Sequence, residues 1–255
     1  MAQSIRVSTF ENLVKPIADP SAGAFVRQVI SGYFLTFSNL DPQDTNYRFM
    51  VVLPKWTAPG APGEAPKDRE FTTTAPGSVQ DPSGVGNHNT IYDITGGTSF
   101  GQTLTSELVY LGDSTDNCTR IYISDLYELC KGATAQLALL PFLGPGPNLL
   151  ANGLFEVRGW LGIGIYPSNS GSELAASHVL LNPEQRGTFL PIGGTMDVSE
   201  VSQLNTSLPT ASGRAENSIP VTGGAVPKKV QEWAEKNGIS LSLIAPFSNL
   251  LLPVV

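Results

Sequence analysis

The chain is short of charge, and of basic charge above all. Charged residues make up 15% of the 255 residues, and 15 Lys and Arg stand against 22 Asp and Glu, which gives a formal net charge of −7. The densest basic cluster is the pair Lys228 and Lys229. Because nucleic-acid binding needs clustered Lys and Arg to neutralise phosphates, we expect no nucleic-acid partner.

Histidine and cysteine are scarce as well. The chain holds two of each, and they form no paired Cys/His cluster of the kind that binds zinc. The glycine-rich fingerprints of dinucleotide and triphosphate sites are also missing, so we predict neither a metal ion nor a cofactor. Cys118 and Cys130 cannot build a disulfide framework. We expect two reduced, buried thiols, with pairing left open for an oxidising compartment.

Long apolar runs are missing too. The N-terminal segment MAQSIRVSTFENLVKP contains no apolar core of the length that a signal peptide needs. No segment approaches the ~18 consecutive apolar residues of a transmembrane helix. We expect a chain without a transmembrane segment that is either cytoplasmic or exported by a non-classical route.

Glycine and proline, in contrast, are abundant. The chain has 26 Gly and 20 Pro, which is typical of many turns and short strands rather than long helices. Strand-like runs, some with strict two-residue alternation of apolar side chains, cover residues 34–37, 47–53, 90–94, 107–111, 119–124, 135–140, 154–166 and 187–192. We therefore predict a mainly β protein, an antiparallel β-sandwich of jelly-roll type with a few short helices. Glycines within residues 154–166 indicate a bulge, a bend or a neighbouring backbone that lies close.

A few segments have helical spacing instead. The sequence STFE at residues 8–11 fits a capping box and predicts a short N-terminal helix, and apolar spacing predicts another over residues 25–30. Residues 124–131 are expected to form one or two helical turns before Gly132. A further short helix is predicted over residues 172–181.

The chain divides into three parts. Residues 1–204 carry the predicted sandwich, and residues 205–226 are interpreted as a polar linker. Residues 227–255 form a C-terminal arm, with a helix that begins at Pro227 and a strand from Ile239. Large apolar side chains crowd the end of the arm: Leu241, Leu243, Ile244, Phe247, Leu250, Leu251, Leu252, Val254 and Val255. Such a tail must dock on its own body or on a neighbour.

Two groups of carboxylates lie between strand-like runs and suggest a cation site. Asp41 and Asp44 stand among Asn and Pro residues that favour turns, and the ligand spacing of a calcium loop is absent. Asp113 and Asp116 have a similar setting. We predict turns at both places, and a hairpin of two antiparallel strands over residues 34–53.

One motif has the form of a catalytic site. Residues 97–101 fit the G-x-S-x-G pattern of a nucleophile elbow, and Ser99, Asp125 and His178 follow in the order of an esterase triad. The pattern arises easily in a chain this rich in Gly and Ser, and its flanks resemble short strands rather than alternating strands and helices. We favour a glycine-rich turn and keep a serine hydrolase as an alternative function.

Aromatic residues suggest a second alternative, a carbohydrate- or ligand-binding sandwich that uses Trp56 and Tyr92. The apolar arm is the more informative feature, because it requires a docking surface. We therefore expect a non-enzymatic structural or protein-interaction protein. It is expected to form a homo-oligomer, or to bind a protein partner, through the arm.

Overall fold

Strands dominate the residues that the computed structural model describes, which are 4–16, 27–54, 57–58, 67–68, 71–73, 88–96, 108–116, 118–141, 155–167, 176–191, 202–220 and 225–255. The strands are β1 (Ser4–Pro16), β2 (Arg27–Asn39), β3 (Thr45–Pro54), β4 (Thr57–Ala58), β5 (Lys67–Asp68), β6 (Phe71–Thr73), β7 (His88–Gly96), β8 (Leu108–Asp113), β9 (Thr119–Ser124), β10 (Tyr127–Leu129), β11 (Thr134–Pro141), β12 (Phe155–Pro167), β13 (Ala176–Pro191), β14 (Ser202–Ser207) and β15 (Glu216–Pro220). Three short helices and a 3₁₀ turn follow: α1 (Lys228–Lys236), α2 (Leu241–Ile244), the turn Ala245–Phe247 and α3 (Ser248–Leu251).

Most of these strands join in one hydrogen-bonded sheet. Its longest path runs β6-β7-β11-β2-β1-β12-β3-β9-β8, with β10 beside β3. Strand β13 pairs with β2 and carries β14 and β15 on its other edge. Strands β6 and β7 are parallel, and the other pairs of this sheet are antiparallel. Strands β4 and β5 form a separate ribbon.

The sheet is curled, and β2 changes neighbours along its length. The start of β2 pairs with the end of β1, whereas the rest of that edge pairs with β11. Strand β1 carries the pairing onward to β12, and β12 to β3. The mainly β, antiparallel class with few helices is confirmed. One half of the sheet contains β6, β7, β11 and β2, and the other contains β12, β3, β9 and β8. Strand β1 pairs with both β2 and β12 and so joins the halves in one curled sheet, where a sandwich would have two separate sheets.

One hydrophobic cluster fills the inside of the curl. At its centre the ring of Phe37 meets those of Tyr47, Phe49 and Tyr127 at steep angles, with centroid distances of 5.5, 5.2 and 5.9 Å. We call this set of buried side chains the inner cluster; with these four it includes Val7, Leu35, Val51, Leu137, Ile163 and Val179. Both halves of the sheet contribute to it.

Strand β3 is buried on both faces. Tyr47, Phe49 and Val51 point into the inner cluster, as their alternation predicts. Met50 and Val52 lie between them and belong to a second cluster on the outside of the sheet. The outside of the sheet is therefore a packing surface as well.

Both helices predicted near the N-terminus are wrong, because these segments are strands. Residues 8–11 lie inside β1, and residues 27–30 open β2. In β1 the buried residues Ser8, Phe10 and Asn12 alternate with more exposed ones, which is the period of a strand. Pairing with β12 and with β2 overrides the local helix signal.

The two other predicted helices are wrong for the same reason. Tyr127 and Leu129 are buried on either side of the exposed Glu128, and these residues form β10 against the start of β3. Gly132 ends this segment with a φ of 69°, in a turn that leads into β11. Residues 176–181 open β13, which pairs with β2 and β15.

Residues 205–226 differ from the predicted linker. They contain the end of β14 and all of β15, both of which pair with β13. Ile219 of β15 is 1% exposed and belongs to the inner cluster. Strands this short and polar lack the apolar periodicity by which longer strands are recognised. The connection from sheet to arm is the short segment between Pro220 and Pro227.

Residues 34–53 do not form the predicted hairpin. Residues 40–44 connect β2 to β3, as expected, but the two strands pair with other partners. Strand β2 pairs with β1, β11 and β13, and β3 pairs with β9, β10 and β12. The connection therefore joins the two halves of the sheet instead of folding a strand back on its neighbour.

Candidate interaction site

The arm begins with the amphipathic helix that the sequence predicts. Helix α1 buries Val230, Trp233 and Ala234, which recur at i, i+3 and i+4. On its exposed side Lys228 Nζ lies 3.3 Å from a carboxylate oxygen of Glu232, one turn away. One face of α1 therefore docks and the other faces solvent.

Helix α1 ends in a Schellman motif. Gly238 has a φ of 67°, a conformation that glycine adopts without strain. Its N–H donates to the carbonyl oxygen of Glu235 at 3.2 Å, and the N–H of Ile239 donates to that of Ala234 at 2.8 Å. The predicted helix end at Asn237 and Gly238 is confirmed.

The remainder of the arm is helical, so the strand predicted from Ile239 is wrong. Helix α2, the 3₁₀ turn and α3 follow one another over residues 241–251. Ile244, Phe247 and Leu251 are spaced at i, i+3 and i+7, and each is 0% exposed. That spacing places them on one side of a helical segment, and this side meets the sheet.

Two glycines on the outside of β12 form the floor beneath the arm. A Cβ atom at Gly164 would lie 2.8 Å from Cζ of Phe247, and one at Gly162 would lie 2.8 Å from Cδ1 of Leu250. A side chain at Gly164 would require the buried ring of Phe247 to shift, whereas at Gly162 the end of the flexible Leu250 side chain would have to turn aside. We call this surface the acceptor groove; it comprises Gly162 and Gly164 of β12, Met50 and Val52 of β3, and Ile121 and Ile123 of β9.

Hydrogen bonds fix the position of the arm along the groove. The amide of Asn249 makes two of them: Oδ1 accepts from Ser4 Oγ at 2.9 Å, and Nδ2 donates to the Ser4 carbonyl oxygen at 2.8 Å. The hydroxyl of Tyr166 donates to the carbonyl oxygen of Leu243 at 3.3 Å. The arm is thereby joined to the start of β1 and to the end of β12.

Helix α1 is anchored at the end of β8, beside the turn that leads into β9. Trp233 Nε1 donates to the carbonyl oxygen of Asp113 at 2.8 Å. The carboxylate of Asp113 accepts from the hydroxyl of Tyr110 at 2.7 Å and lies 3.5 Å from Nε of Arg120. Asp113 therefore has a structural role, because it holds Tyr110, Arg120 and Trp233 together next to the turn.

The rim of the acceptor groove is aromatic and cationic. The guanidinium of Arg6 lies 4.2 Å from the ring centroid of Trp160, and that of Arg48 lies 5.4 Å from the ring centroid of Tyr166. Burial raises the pKa of Tyr166 to about 12, and Arg48 opposes part of this shift. The raised pKa keeps the Tyr166 hydroxyl protonated, and able to donate to the arm, further into the alkaline range than an ordinary tyrosine.

Asp41 and Asp44 make the contacts of a structural connection. Asp41 is 4% exposed, and its carboxylate accepts from the N–H of His178 at 2.8 Å and from the hydroxyl of Ser177. A carboxylate oxygen of Asp44 accepts from the N–H of Lys131 at 2.9 Å. Asp41 thus ties the connection to β13, and Asp44 ties it to the turn after β10.

The proposed esterase triad is only partly described. Ser99 and its G-x-S-x-G motif lie outside the described residues. Asp125 is exposed in the connection between β9 and β10. The side chain of His178 is 47% exposed on β13, with Nδ1 3.7 Å from the carboxylate of Glu216. The neighbouring Ser177 points the opposite way, because side chains alternate along a strand. The hydrolase alternative stays a prediction.

Other residues singled out from the sequence lie elsewhere. Trp56 is outside the described residues. Tyr92 is 2% exposed in the inner cluster, so its ring cannot contact a sugar. Cys118 and Cys130 are unpaired, but the expectation of burial is wrong, because both are exposed in connections between strands.

Neither a metal centre in the described residues nor a matching family indicates the function. Among the described residues, no group of three or more His, Cys, Asp and Glu side chains is arranged to hold a metal ion. No helix in the described part of the chain has the length and apolarity to cross a membrane. No protein-family model matches the chain, and no curated protein is significantly similar to it.

The sequence indicates the arm but not its acceptor. The glycines of β12 suggest a close backbone, and this interpretation is right at Gly159, where a Cβ would overlap the carbonyl oxygen of Val52. Gly162 and Gly164 instead make room for side chains of the arm. The sequence signal that could have indicated the groove is the spacing of Gly162 and Gly164, because glycines at i and i+2 share one face of a strand.

Proposed function

We propose that this protein is a non-enzymatic structural or protein-interaction protein that assembles with copies of itself. The observation that carries the proposal is the cluster between the arm and the outside of the sheet. We call it the outer cluster; its arm members are Val230, Trp233, Ala234, Ile244, Phe247, Leu251 and Val255, and its sheet members are Met50, Val52, Leu111, Ile121 and Ile123.

The two clusters suggest two roles within the chain, with the strands forming the fold and the arm available for assembly. In the described residues, the inner cluster is built by strands alone and the outer cluster requires the arm. Fully burying a large apolar side chain is worth roughly 1.5–3 kcal/mol. An arm with several such side chains binds firmly wherever an acceptor groove is free, and exchange of such an element between subunits is a low-cost route to assembly.

Apolar side chains that stay exposed beside the docked arm also support assembly. Leu241 and Leu252 of the arm are 37% and 41% exposed, and Val109 and Tyr110 of β8 are 50% and 49% exposed. Among the described strands, β8 ends the longest path through the sheet. The edge of a sheet offers backbone N–H and C=O groups to another chain.

The direct test is the mass of the full-length protein in solution, measured by light scattering over a range of concentrations. We expect an oligomer. A Phe247→Ala variant should shift the protein towards the monomer, because Phe247 is 0% exposed in the outer cluster. A Glu235→Ala variant is the control, since Glu235 lies in the arm but is exposed on α1, outside the outer cluster. A full-length protein that is monomeric at every concentration would overturn the proposal.

A non-enzymatic protein should also be inert to an active-site probe. We expect that a fluorophosphonate does not label Ser99 in the full-length protein. A nucleophilic serine needs an adjacent base, and the His178 imidazole is exposed beside Glu216. Labelling that disappears in a Ser99→Ala variant would favour the serine hydrolase instead.

A further inference from the structure

We infer that the acceptor groove is a binding site for the arm of a second copy of this chain, so that neighbouring copies exchange arms. This inference rests on the proposed self-assembly and adds the site and the segment that enters it. Within one chain the arm fills its own groove. The same groove on a neighbour offers it identical contacts.

The groove recognises one short segment of the arm at three points. Phe247 lies over Gly164, Leu250 lies over Gly162, and Asn249 makes a two-way hydrogen-bond pair with Ser4. These three arm residues fall within the sequence Phe-Ser-Asn-Leu of α3 and the turn before it. An aromatic ring, an amide and a leucine at i, i+2 and i+3 define the ligand. The glycine floor and the Ser4 pair fix its register.

The arm can leave the sheet without breaking a strand pair. It contributes helices and a 3₁₀ turn, and the strands that pair in the described sheet end at Pro220. Contacts with the groove are made by side chains, aided by single hydrogen bonds such as Tyr166 to Leu243. Opening the outer cluster therefore leaves the inner cluster and the strand ladder intact.

The connection to the arm favours an adjacent copy over a distant one. The segment between Pro220 and Pro227 reads Val-Thr-Gly-Gly-Ala-Val, so seven residue steps join the two prolines. Seven residue steps span at most about 25 Å. An arm on so short a connection reaches only a groove that lies beside its own sheet. Reciprocal exchange between two such copies fills both grooves and closes the assembly.

Cross-linking between full-length chains tests the exchange. Both native cysteines are exposed, so the background is Cys118→Ser with Cys130→Ser. One chain carries Ser4→Cys and a second chain, with a different affinity tag, carries Asn249→Cys. The two chains are co-expressed and treated with a short bismaleimide, and peptide mass spectrometry identifies a 4–249 link. A single chain with both new cysteines is the positive control for the contact itself.

Exchange should give a covalent dimer of differently tagged chains joined through positions 4 and 249. Adding Gly164→Val to the Ser4→Cys chain fills its groove and should lower the yield by about ten-fold or more. Gly187→Val in β13 is the matched control, because the nearest atom to a Cβ there is 3.7 Å away. That substitution should leave the yield unchanged.

The inference is overturned if the doubly substituted chain links within itself while the mixed chains give no 4–249 dimer. It is also overturned if neither arrangement links, because Phe247 and Leu250, which the variants retain, should still hold positions 4 and 249 together. In either case an oligomeric mass in solution would leave the proposed self-assembly standing through another surface. A monomeric mass would instead count against the proposed function itself.

Discussion

The inner and outer clusters lie on opposite faces of β3 and are built in different ways. The inner cluster gathers side chains from strands spread over the chain, from β1 to β15, and backbone pairing holds those strands in place. The outer cluster forms between one face of the sheet and a single contiguous C-terminal segment. Alternate residues of one strand therefore serve two tasks: Phe49 and Val51 build the fold, and Met50 and Val52 receive the arm.

The largest expected effect compares one phenylalanine from each cluster. Phe37 and Phe247 are both 0% exposed. Phe37→Ala should lower the free energy of unfolding of the whole protein by about 3–5 kcal/mol, because the surrounding strands cannot close the cavity. Phe247→Ala should release the arm and leave the denaturant midpoint of the sheet near that of the wild type. Circular dichroism during urea titration measures both.

Equal losses of global stability in the two variants would break the comparison. They would mean that the clusters unfold as one cooperative unit and that the arm is an ordinary part of the core. A normal midpoint for Phe37→Ala would also contradict the account, since the ring contacts of Phe37 are central to the inner cluster.

The next effect concerns the floor of the groove. Gly164→Ala should weaken arm docking by about 1–3 kcal/mol, because its Cβ overlaps the ring of Phe247 and the ring must shift. Limited trypsin digestion at Lys236 of α1 should accordingly become faster. Gly187→Ala is the control, because the atoms nearest to its Cβ lie at ordinary van der Waals distances of 3.7 Å or more. Equal digestion rates in the two variants would show that the glycine floor does not determine docking.

A smaller effect is expected at the polar contact between Ser4 and Asn249. Each hydrogen bond is worth about 0.5–1.5 kcal/mol net. Ser4→Ala, Asn249→Ala and the double variant form a cycle in which the Ser4 Oγ bond should appear as a coupling energy, because the two sites act together. The rate at which trypsin releases the arm is measured for the wild type, the two single variants and the double variant. Strictly additive effects would argue that the side-chain pair does not set the register.

The smallest effect concerns the connection between β2 and β3, where we expect no change in melting temperature on addition of calcium. Calcium at millimolar concentration should leave the melting temperature unchanged, because Asp41 and Asp44 are engaged with β13 and with the turn after β10. A ligand bound only by the folded state would raise the melting temperature. A calcium-dependent rise that is lost in the variant with Asp41→Asn and Asp44→Asn would contradict the structural role of the connection.

Period-two alternation and helix-end chemistry could be read from the sequence, and long-range pairing could not. The strand of Tyr47 to Leu53 and the end of α1 at Gly238 are local patterns, and both are found. Strand β1 carries a capping-box spacing, and β15 carries little apolar pattern. Both segments form strands because they pair with segments distant in the chain, β1 with β12 and β15 with β13.

The acceptor groove was beyond the sequence for a related reason. Gly162 and Gly164 are significant only because Leu250 and Phe247 pack over them from the far end of the chain. The apolar content of the arm predicts that it docks, and its helical spacing at Ile244, Phe247 and Leu251 can be recognised once the strand interpretation is set aside. The surface that receives it emerges only from the fold.

Hydrogen–deuterium exchange on the full-length protein tests the central claim, that the arm is a separable layer on a complete sheet. Local opening exposes amides at a lower free energy than global unfolding. If the arm is separable, amides of α1, α2 and α3 should exchange faster than those of β2 and β3. Gly164→Ala should also accelerate exchange in the arm alone. Exchange of arm and sheet at one common rate, changed together by that substitution, would contradict the claim.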